Sequence, residues 1–333
     1  MNLRLLGFLS CPSCSGDLNL EAGYKTKSAD AQNIFSGKLG CTKCCESYPI
    51  VQGIPRFVPA KNFANSFGFQ WNRFAQVQLD ETLGFDLSAK RFADETKWPA
   101  DLRGQLILEA GSGMGRFTRC AAQTGAEVIS FDYSSAIEAN YRNNSDYTNV
   151  HFLQADIFNM PFKKKLFDKI FCFGVIQHTP DPKRAFLSLL PYGKTGADVA
   201  FDVYRRSWKS LFWGQYYLRH FTKRLPPERL FPIVQKYFSL VYSLTGLIRP
   251  FNDHLSKVLS LGLGTADYRG LYPLDEVKMR ELCFLDTFDK LSPTYDIPQK
   301  LDDVKSWFLE APLVHAEAML GYNGIEARCQ ISL

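Results

Sequence analysis

Three glycines, Gly111, Gly113 and Gly115, alternate through the stretch LILEAGSGMGRF (106–117), and Glu109 stands two residues ahead of the first. Glycines at this spacing let the backbone turn sharply and pass close to a ligand. Such turns hold dinucleotides, phosphates or S-adenosylmethionine. Asp132 follows Gly111 by 21 residues, where a carboxylate can grip ribose hydroxyls. A dinucleotide fingerprint needs its third glycine at position 116, which is Arg116. The Gly-Lys-Ser/Thr of a P-loop is absent as well. An ammonium- and sulfonium-bearing ligand without pyrophosphate suits a turn preceded by an acid.

A second group of reactive residues lies near the start of the chain. Cys11-Pro-Ser-Cys14 and Cys41-Thr-Lys-Cys44 are two CxxC knuckles separated by 26 residues. Four thiolates from two such knuckles can surround zinc tetrahedrally, and a segment this small needs the metal for stability. Four protein ligands make the expected site structural rather than catalytic. Cys45 is an alternative ligand to Cys44. Two disulfides would be the other use of these residues. Cys120, Cys172, Cys283 and Cys329 sit singly in apolar contexts and are expected to be buried free thiols.

These groups need elements to position them. The stretch from Gln105 reads as a strand (105–109), the glycine turn, a helix (115–124) and a second strand (127–131) that ends at Asp132, a βαβ unit. VHFLQADIFNMPF (150–162) reads as a third strand with Asp156 and Ile157 at its end. LFDKIFCFGVIQHTPDPKRAFLSLL (166–190) supplies a fourth strand, a loop holding Gly174, Gln177 and His178, and a helix. That loop lies at the carboxyl end of the strand, where open α/β sheets bind ligands. Strand five, DVAFDVY, brings Asp202 and Tyr204 towards the same place.

The order acid-x-G-x-G-x-G, strand-end Asp132, the Asp156-Ile157 pair and the GVIQHTPDP segment resembles the class I S-adenosylmethionine-dependent methyltransferases, in their small-molecule and lipid branch. The resemblance implies an α/β, Rossmann-like, seven-stranded methyltransferase sheet. It implies S-adenosylmethionine contacts from Glu109, Gly111, Gly113, Gly115, Asp132, Tyr133, Asp156, Ile157 and Gly174, with Asp156 and Ile157 at the adenine. LSCPSCSGDL and CTKCCESYPIVQGIPRFV are similar to a small zinc-ribbon module fused to, or partnering, methyltransferases, where it serves stability, partner contact or substrate docking. NFANSFGFQWNRFAQVQLD (62–80) and LDTFDKLSPTYDIPQKLDDVKSWF (285–308) resemble one bacterial subfamily encoded among surface-polysaccharide and secondary-metabolite genes. The implied layout is a ribbon (1–60), an N-terminal helical cap (61–104), a core (105–204 and 276–333) and a helical insertion (205–275).

Several features narrow the acceptor. No Asn/Asp-Pro-Pro-aromatic tetrapeptide follows strand four, which counts against base or glutamine N-methylation. No Pro-Cys pair stands there for cytosine C5 chemistry. An oxygen nucleophile benefits from a base, and His178 can take a proton near neutral pH, or can instead shape the loop. Gln177 and Tyr204 are the other candidates near the transferred methyl, with Asp202 ranked below His178. Phe69, Gln70, Trp71 and Arg73 are candidates for a helix closing over the cofactor. Asp286, Thr287, Asp289 and Tyr295, among Pro293 and Pro298, are read as a polar substrate lid ahead of a helix (301–310), or as local caps. The resulting expectation is O-methylation of a sugar-containing or other small molecule. RNA methylation with the ribbon as docking module is the alternative, and a non-catalytic cofactor-binding partner is the third reading.

Composition sets the frame. The 333 residues are 46% hydrophobic and 22% charged with a net charge of +5, ordinary for a globular chain and without the basic excess that phosphate contacts call for. No signal peptide, lipidation site or spanning segment is read, so a cytoplasmic location is expected. Residues 205–250 alternate basic and aromatic groups, then run into an apolar helix after Pro226-Pro227. A cap over the site, a helix approaching a membrane surface and an RNA-binding face are the three uses of that composition.

Overall fold

The chain is described from a computed structural model for residues 1–27, 30–59, 62–208 and 212–332. Lys209, Ser210 and Leu211 of the basic-aromatic stretch lie outside the described residues.

The N-terminal module is an antiparallel sheet of β1 (Leu18–Leu20), β2 (Lys25–Lys27), β3 (Asp30–Cys41), β4 (Ser47–Val51) and β5 (Ile54–Pro55). Its small core of Leu5, Leu9, Leu18, Leu39 and Ile50 is continuous with that of the following domain, so the module is docked on it. The amide of Ser10 donates to the carbonyl of Pro161 at 3.0 Å, and that of Phe57 to Gln154 at 2.8 Å.

The seven-stranded sheet comprises β6 (Leu106–Ala110), β7 (Glu127–Asp132), β8 (Val150–Gln154), β9 (Phe167–Cys172), β10 (Gly193–Val203), β11 (Leu313–Gly321) and β12 (Gly324–Ile331), in the order β11-β12-β10-β9-β6-β7-β8. The five from β6 to β10 pair in parallel, while β12 runs antiparallel between β10 and β11. Strands buried on both faces read as apolar runs, which is why β6 is LILEA and fully buried. Ile107, Val128 and Phe171 pack on one face with α3 (Leu87–Thr96), α4 (Arg116–Gln123) and α5 (Ile137–Asn144), through Phe92, Phe117 and Ile137. Leu108, Ile129 and Ile170 pack on the other with α6 (Pro182–Leu189), α11 (Leu301–Trp307) and the ribbon. Asp181 caps α6 by accepting the Arg184 amide, with Pro182 at the first helical position.

Strand order reverses at β6: β9 lies to one side and β7 to the other. Open α/β sheets bind ligands outside the carboxyl ends at such a point. Above it lies a helical cap of α1 (Asn65–Arg73), α7 (Gly214–Thr222), α8 (Pro227–Ile248), α9 (Asp253–Gly262) and α10 (Glu276–Leu291), with the short α2 (Asp80–Leu83) beside it. Phe74, Phe231, Phe238, Phe284 and Phe288 form the core of this cap.

Two readings of the sequence change here. Asp286, Thr287 and Asp289 lie on α10 rather than in a proline-rich loop, because Asp275 caps a helix that continues to Leu291 before the prolines begin. Phe69 and Arg73 belong to the cap: the Phe69 ring is 5.5 Å from Phe231, and the Arg73 guanidinium lies 4.4 Å above that same ring.

Candidate active site

The glycine turn is built to a shape only glycine fits. Gly111, Gly113 and Gly115 have φ of 81°, 54° and 89°. A Cβ on Gly111 would stand 2.3 Å from Val175, and one on Gly115 would stand 2.1 Å from the Asn140 amide. Trp71 of α1 closes over the middle of the turn, its indole Nε1 3.2 Å from where a Cβ on Gly113 would be. Of the four cap candidates read from the sequence, Trp71 therefore meets the turn directly.

Glu109 faces the interior behind the turn. Its carboxylate accepts from Ser130 Oγ at 2.7 Å and from Thr118 Oγ1. Asn140 Nδ2 donates to Thr118 at 2.8 Å and to Ser130 at 2.9 Å. Asn144 extends this web to the Gly115 carbonyl at 2.9 Å. Burial raises the Glu109 carboxyl to about 7, against the two hydroxyl donors that lower it. Glu109 thus braces the turn through its neighbours. Thr118, Ser130, Asn140 and Asn144 escaped the sequence reading, although amides four apart on an otherwise apolar-faced helix signal a buried polar web.

Asp132 stands at the end of β7, as expected, and holds the turn from the other side. Oδ2 accepts the Gly113 amide at 2.9 Å, and Oδ1 accepts the Ser134 amide and hydroxyl at 2.8 and 2.7 Å. Burial raises its carboxyl nonetheless. Tyr133 follows, its ring 4.8 Å from Phe63, and its carbonyl accepts from Asn62 and Gln154. Asp156 accepts the Phe158 amide at 2.9 Å and is likewise raised by burial, while Ile157 is buried beside it.

On the strand-four side, His178 sits between the rings of Phe67, 4.9 Å away, and Tyr204, 5.4 Å away. Its Nδ1 bonds the Tyr295 carbonyl at 3.0 Å. A carbonyl only accepts, so Nδ1 carries a proton, and in the neutral ring the free lone pair is on Nε2. Burial pushes the Tyr204 phenol well above its ordinary range, reinforced by Asp289, Asp296 and Asp286, so Tyr204 is a donor and not a base. Asp202 turns away into a buried ion pair with Arg91, and also accepts the Gly174 amide and the Asn323 side chain. Gln70 Nε2 donates to Asp289 at 3.0 Å and Gln78 Nε2 to Asp286 at 3.1 Å, tying α1 and the turn after it to α10.

Some polar atoms in this place lack hydrogen-bond partners among the described residues. They are both ends of the Gln177 amide, Gln70 Oε1, Ser112 Oγ and Asp296 Oδ1. Gln177 is wholly buried. Buried polar atoms are nearly always paired, so these mark the room of a polar ligand. They surround the turn and the His178 loop, and they fit S-adenosylmethionine and an acceptor.

In the ribbon, the Sγ atoms of Cys11, Cys14, Cys41 and Cys44 all lie within 4.8 Å of one another. Cys45 is exposed and outside the cluster, which removes it as a ligand. A Cβ on Gly16 would be 3.2 Å from Cys41 Sγ and 3.3 Å from Cys14 Sγ, so the knuckle requires glycine there. Burial raises the Cys11 thiol, but hydrogen bonds from Tyr48 and the Cys14 and Ser13 amides outweigh it and bring it to about 6. Four converging thiols with donors aimed at sulfur suit zinc. Of the single cysteines, Cys172, Cys283 and Cys329 are buried and Cys120 is half-buried.

Comparison with known proteins agrees with this geometry. Residues 108–200 match the methyltransferase domain family, and residues 2–53 match the Trm112p-like protein family. Phosphoethanolamine N-methyltransferase 3 of Arabidopsis thaliana is 35% identical over 105 residues, covering 30% of this chain and 21% of that protein. The ubiquinone biosynthesis O-methyltransferase of Coxiella burnetii is 27% identical over 111 residues, 33% of this chain and 47% of its own length. Demethylmenaquinone methyltransferase of Clavibacter sepedonicus is 27% identical over 105 residues, 31% of this chain and 43% of that protein. The chain thus spans less than half the length of these relatives. Motif, strand order and thiol cluster are thus those expected of a class I methyltransferase domain over the matched residues 108–200, behind a Trm112p-like, four-thiol module at residues 2–53.

Proposed function

We propose that the chain is an S-adenosylmethionine-dependent methyltransferase acting on an oxygen of a sugar-containing or other small molecule. The observation that carries the reading is the sheet's switch point, where the glycine turn, Asp132 and the strand-four loop converge within a methyltransferase-domain match. When bound, S-adenosylmethionine supplies an electrophilic methyl on a sulfonium. Asp132, Tyr133, Asp156 and Ile157 are the residues to hold it, with the backbone of the turn at Gly111, Gly113 and Gly115, and Gly174, passing close to it.

The remaining work falls to the strand-four loop. His178, with Nδ1 protonated by its bond to Tyr295, offers Nε2 to take the proton of an acceptor hydroxyl. The Asp296 carboxyl, raised by burial, lies within electrostatic reach of the imidazole. Tyr204 and Gln177 can donate to the acceptor and orient it. Trp71 and Phe67 cover the site and keep water out.

The O-methyltransferase relative supports oxygen as the acceptor atom. The N-methyltransferase relative and the carboxylates Asp286, Asp289 and Asp296 favour an amine as the second reading. Cofactor binding by calorimetry, followed by transfer of labelled methyl to cell-extract fractions, tests both. Labelled product that is base-labile ester or ether supports oxygen, labelled methylamine supports nitrogen, and no cofactor binding overturns the enzyme reading.

A further inference from the structure

The outer face of the cap is apolar where a water-exposed helix should be polar. Along α8, Ile233, Leu240, Leu244 and Leu247 are 54, 70, 48 and 73% exposed. At 100° per residue they fall within an arc of about 60°, some 105° round from the buried stripe of Leu230, Val234, Phe238 and Val241. The helix therefore has two apolar faces, and only one meets the rest of the protein. Phe251, 91% exposed, continues the outer stripe into α9, where Leu255 and Val258 extend it. Trp208 and Phe221 stand exposed beside α7.

The charge of the chain is gathered in the same region. Residues 205–262 hold ten lysines and arginines against two acids, a net of +8. The whole chain carries +5, so everything else sums to −3. Arg229 and Lys236 lie on α8 at the edge of the exposed stripe, and Lys223 and Arg224 follow α7 directly. Among the described residues no helix is long and apolar enough to cross a membrane.

We propose that this face, the outer sides of α8 and α9 with the end of α7, docks flat on an anionic lipid bilayer. An aliphatic stripe bordered by cations and aromatic rings is what a helix lying in the headgroup plane presents. The leucines enter the acyl boundary while the lysines and arginines meet lipid phosphates. A second copy of the chain would bring the same positive face against itself. Nucleic acid would use the cations but would leave the leucines in water, because bases stack on rings and not on aliphatic chains. The surface is separate from the cofactor residues and does not depend on the acceptor. Docked this way, the protein keeps the inner face of α8 on α1 and α10, so the bilayer lies against the site's own cover.

Co-sedimentation with vesicles tests the proposal. The full chain should pellet with vesicles of phosphatidylcholine containing about one third phosphatidylglycerol, and at least tenfold less with phosphatidylcholine alone. Raising salt should weaken the retention. The double variant Leu240→Glu/Leu247→Glu should lose tenfold or more, and Lys223→Glu/Arg224→Glu should lose severalfold, with cofactor affinity and melting temperature near wild type. Equal pelleting of wild type and both variants would overturn the proposal. So would a wild-type dimer in sedimentation velocity that Leu240→Glu/Leu247→Glu dissociates. Retention of RNA, but of no vesicle, would overturn it too. The wild-type lipid and salt series decides the matter even if one variant folds poorly.

Discussion

Arg56, in the tail of the ribbon, donates from Nη1 to Oε1 of Gln154, at 3.0 Å, where β8 ends. Its Nη2 forms an ion pair with Glu138 at 2.9 Å. Gln154 passes the contact on, because its Nε2 donates to the Tyr133 carbonyl at 3.0 Å, directly after Asp132. The ribbon is thus two hydrogen bonds away from the residue after Asp132. Arg56→Ala should cost about 1–3 kcal/mol in denaturant unfolding, since the pair is largely buried on the arginine side. It should also raise the S-adenosylmethionine dissociation constant severalfold by calorimetry. Lost stability with unchanged cofactor affinity would show that the link is purely structural.

Glu109 makes stability depend on pH. Its folded carboxyl is raised to about 7 by burial, above the value in an unfolded chain. The folded state then binds the extra proton, so stability falls as pH rises from about 4.3 to about 7 and levels off above. Glu109→Gln keeps an acceptor for Thr118 and Ser130 but has no charge to bury. Relative to wild type, it should gain on the order of 2–3 kcal/mol between pH 4.5 and pH 8. Parallel melting curves at the two pH values check this.

Gly115 tolerates no side chain. Alanine there would be strained at φ 89° and would press into Asn140 and Asn144. The expected loss for Gly115→Ala is about 2–4 kcal/mol, with cofactor binding lost in whatever folds. Wild-type stability in thermal melts would show that the turn can rearrange.

Much of this site is legible in the sequence because its residues are local. The alternating glycines, Asp132 at a strand end and the paired CxxC knuckles are short-range patterns, and each mirrors a local geometry. What escaped depends on contacts across the fold. Arg56 and Gln154 are 98 positions apart. The turn of Asp202 towards Arg91 rather than the pocket spans 111. Neither leaves a trace in spacing. The loop placement of Asp286, Thr287 and Asp289 failed for another reason: Pro293 and Pro298 suggested a loop, yet their influence ends where α10 ends, and these residues precede that end.

Zinc should be stoichiometric. Elemental analysis of purified protein is expected to give about one equivalent, falling below about half in Cys14→Ser. Because the ribbon core is continuous with the sheet's, metal loss should lower the melting temperature of the whole chain. A separate low-temperature transition would mean that the two units melt independently.

His178→Ala should reduce turnover by about 10²–10⁴-fold, the range for a general base, while cofactor affinity stays near wild type. Asp132→Ala should do the opposite and abolish cofactor binding. Full turnover in His178→Ala would remove the histidine from the chemistry and leave it a support for the loop.

The place of β12 has a consequence for how the chain is made. It follows every other strand in sequence, yet it is inserted between β10 and β11. Until its eight residues leave the ribosome, β10 has a bare edge and β11 no neighbour. Until then the nascent core is an incomplete five-stranded sheet, with an open flank that invites mispairing. Closure waits for β12, and mutations in Gly324–Ile331 should show first as poor recovery of soluble protein.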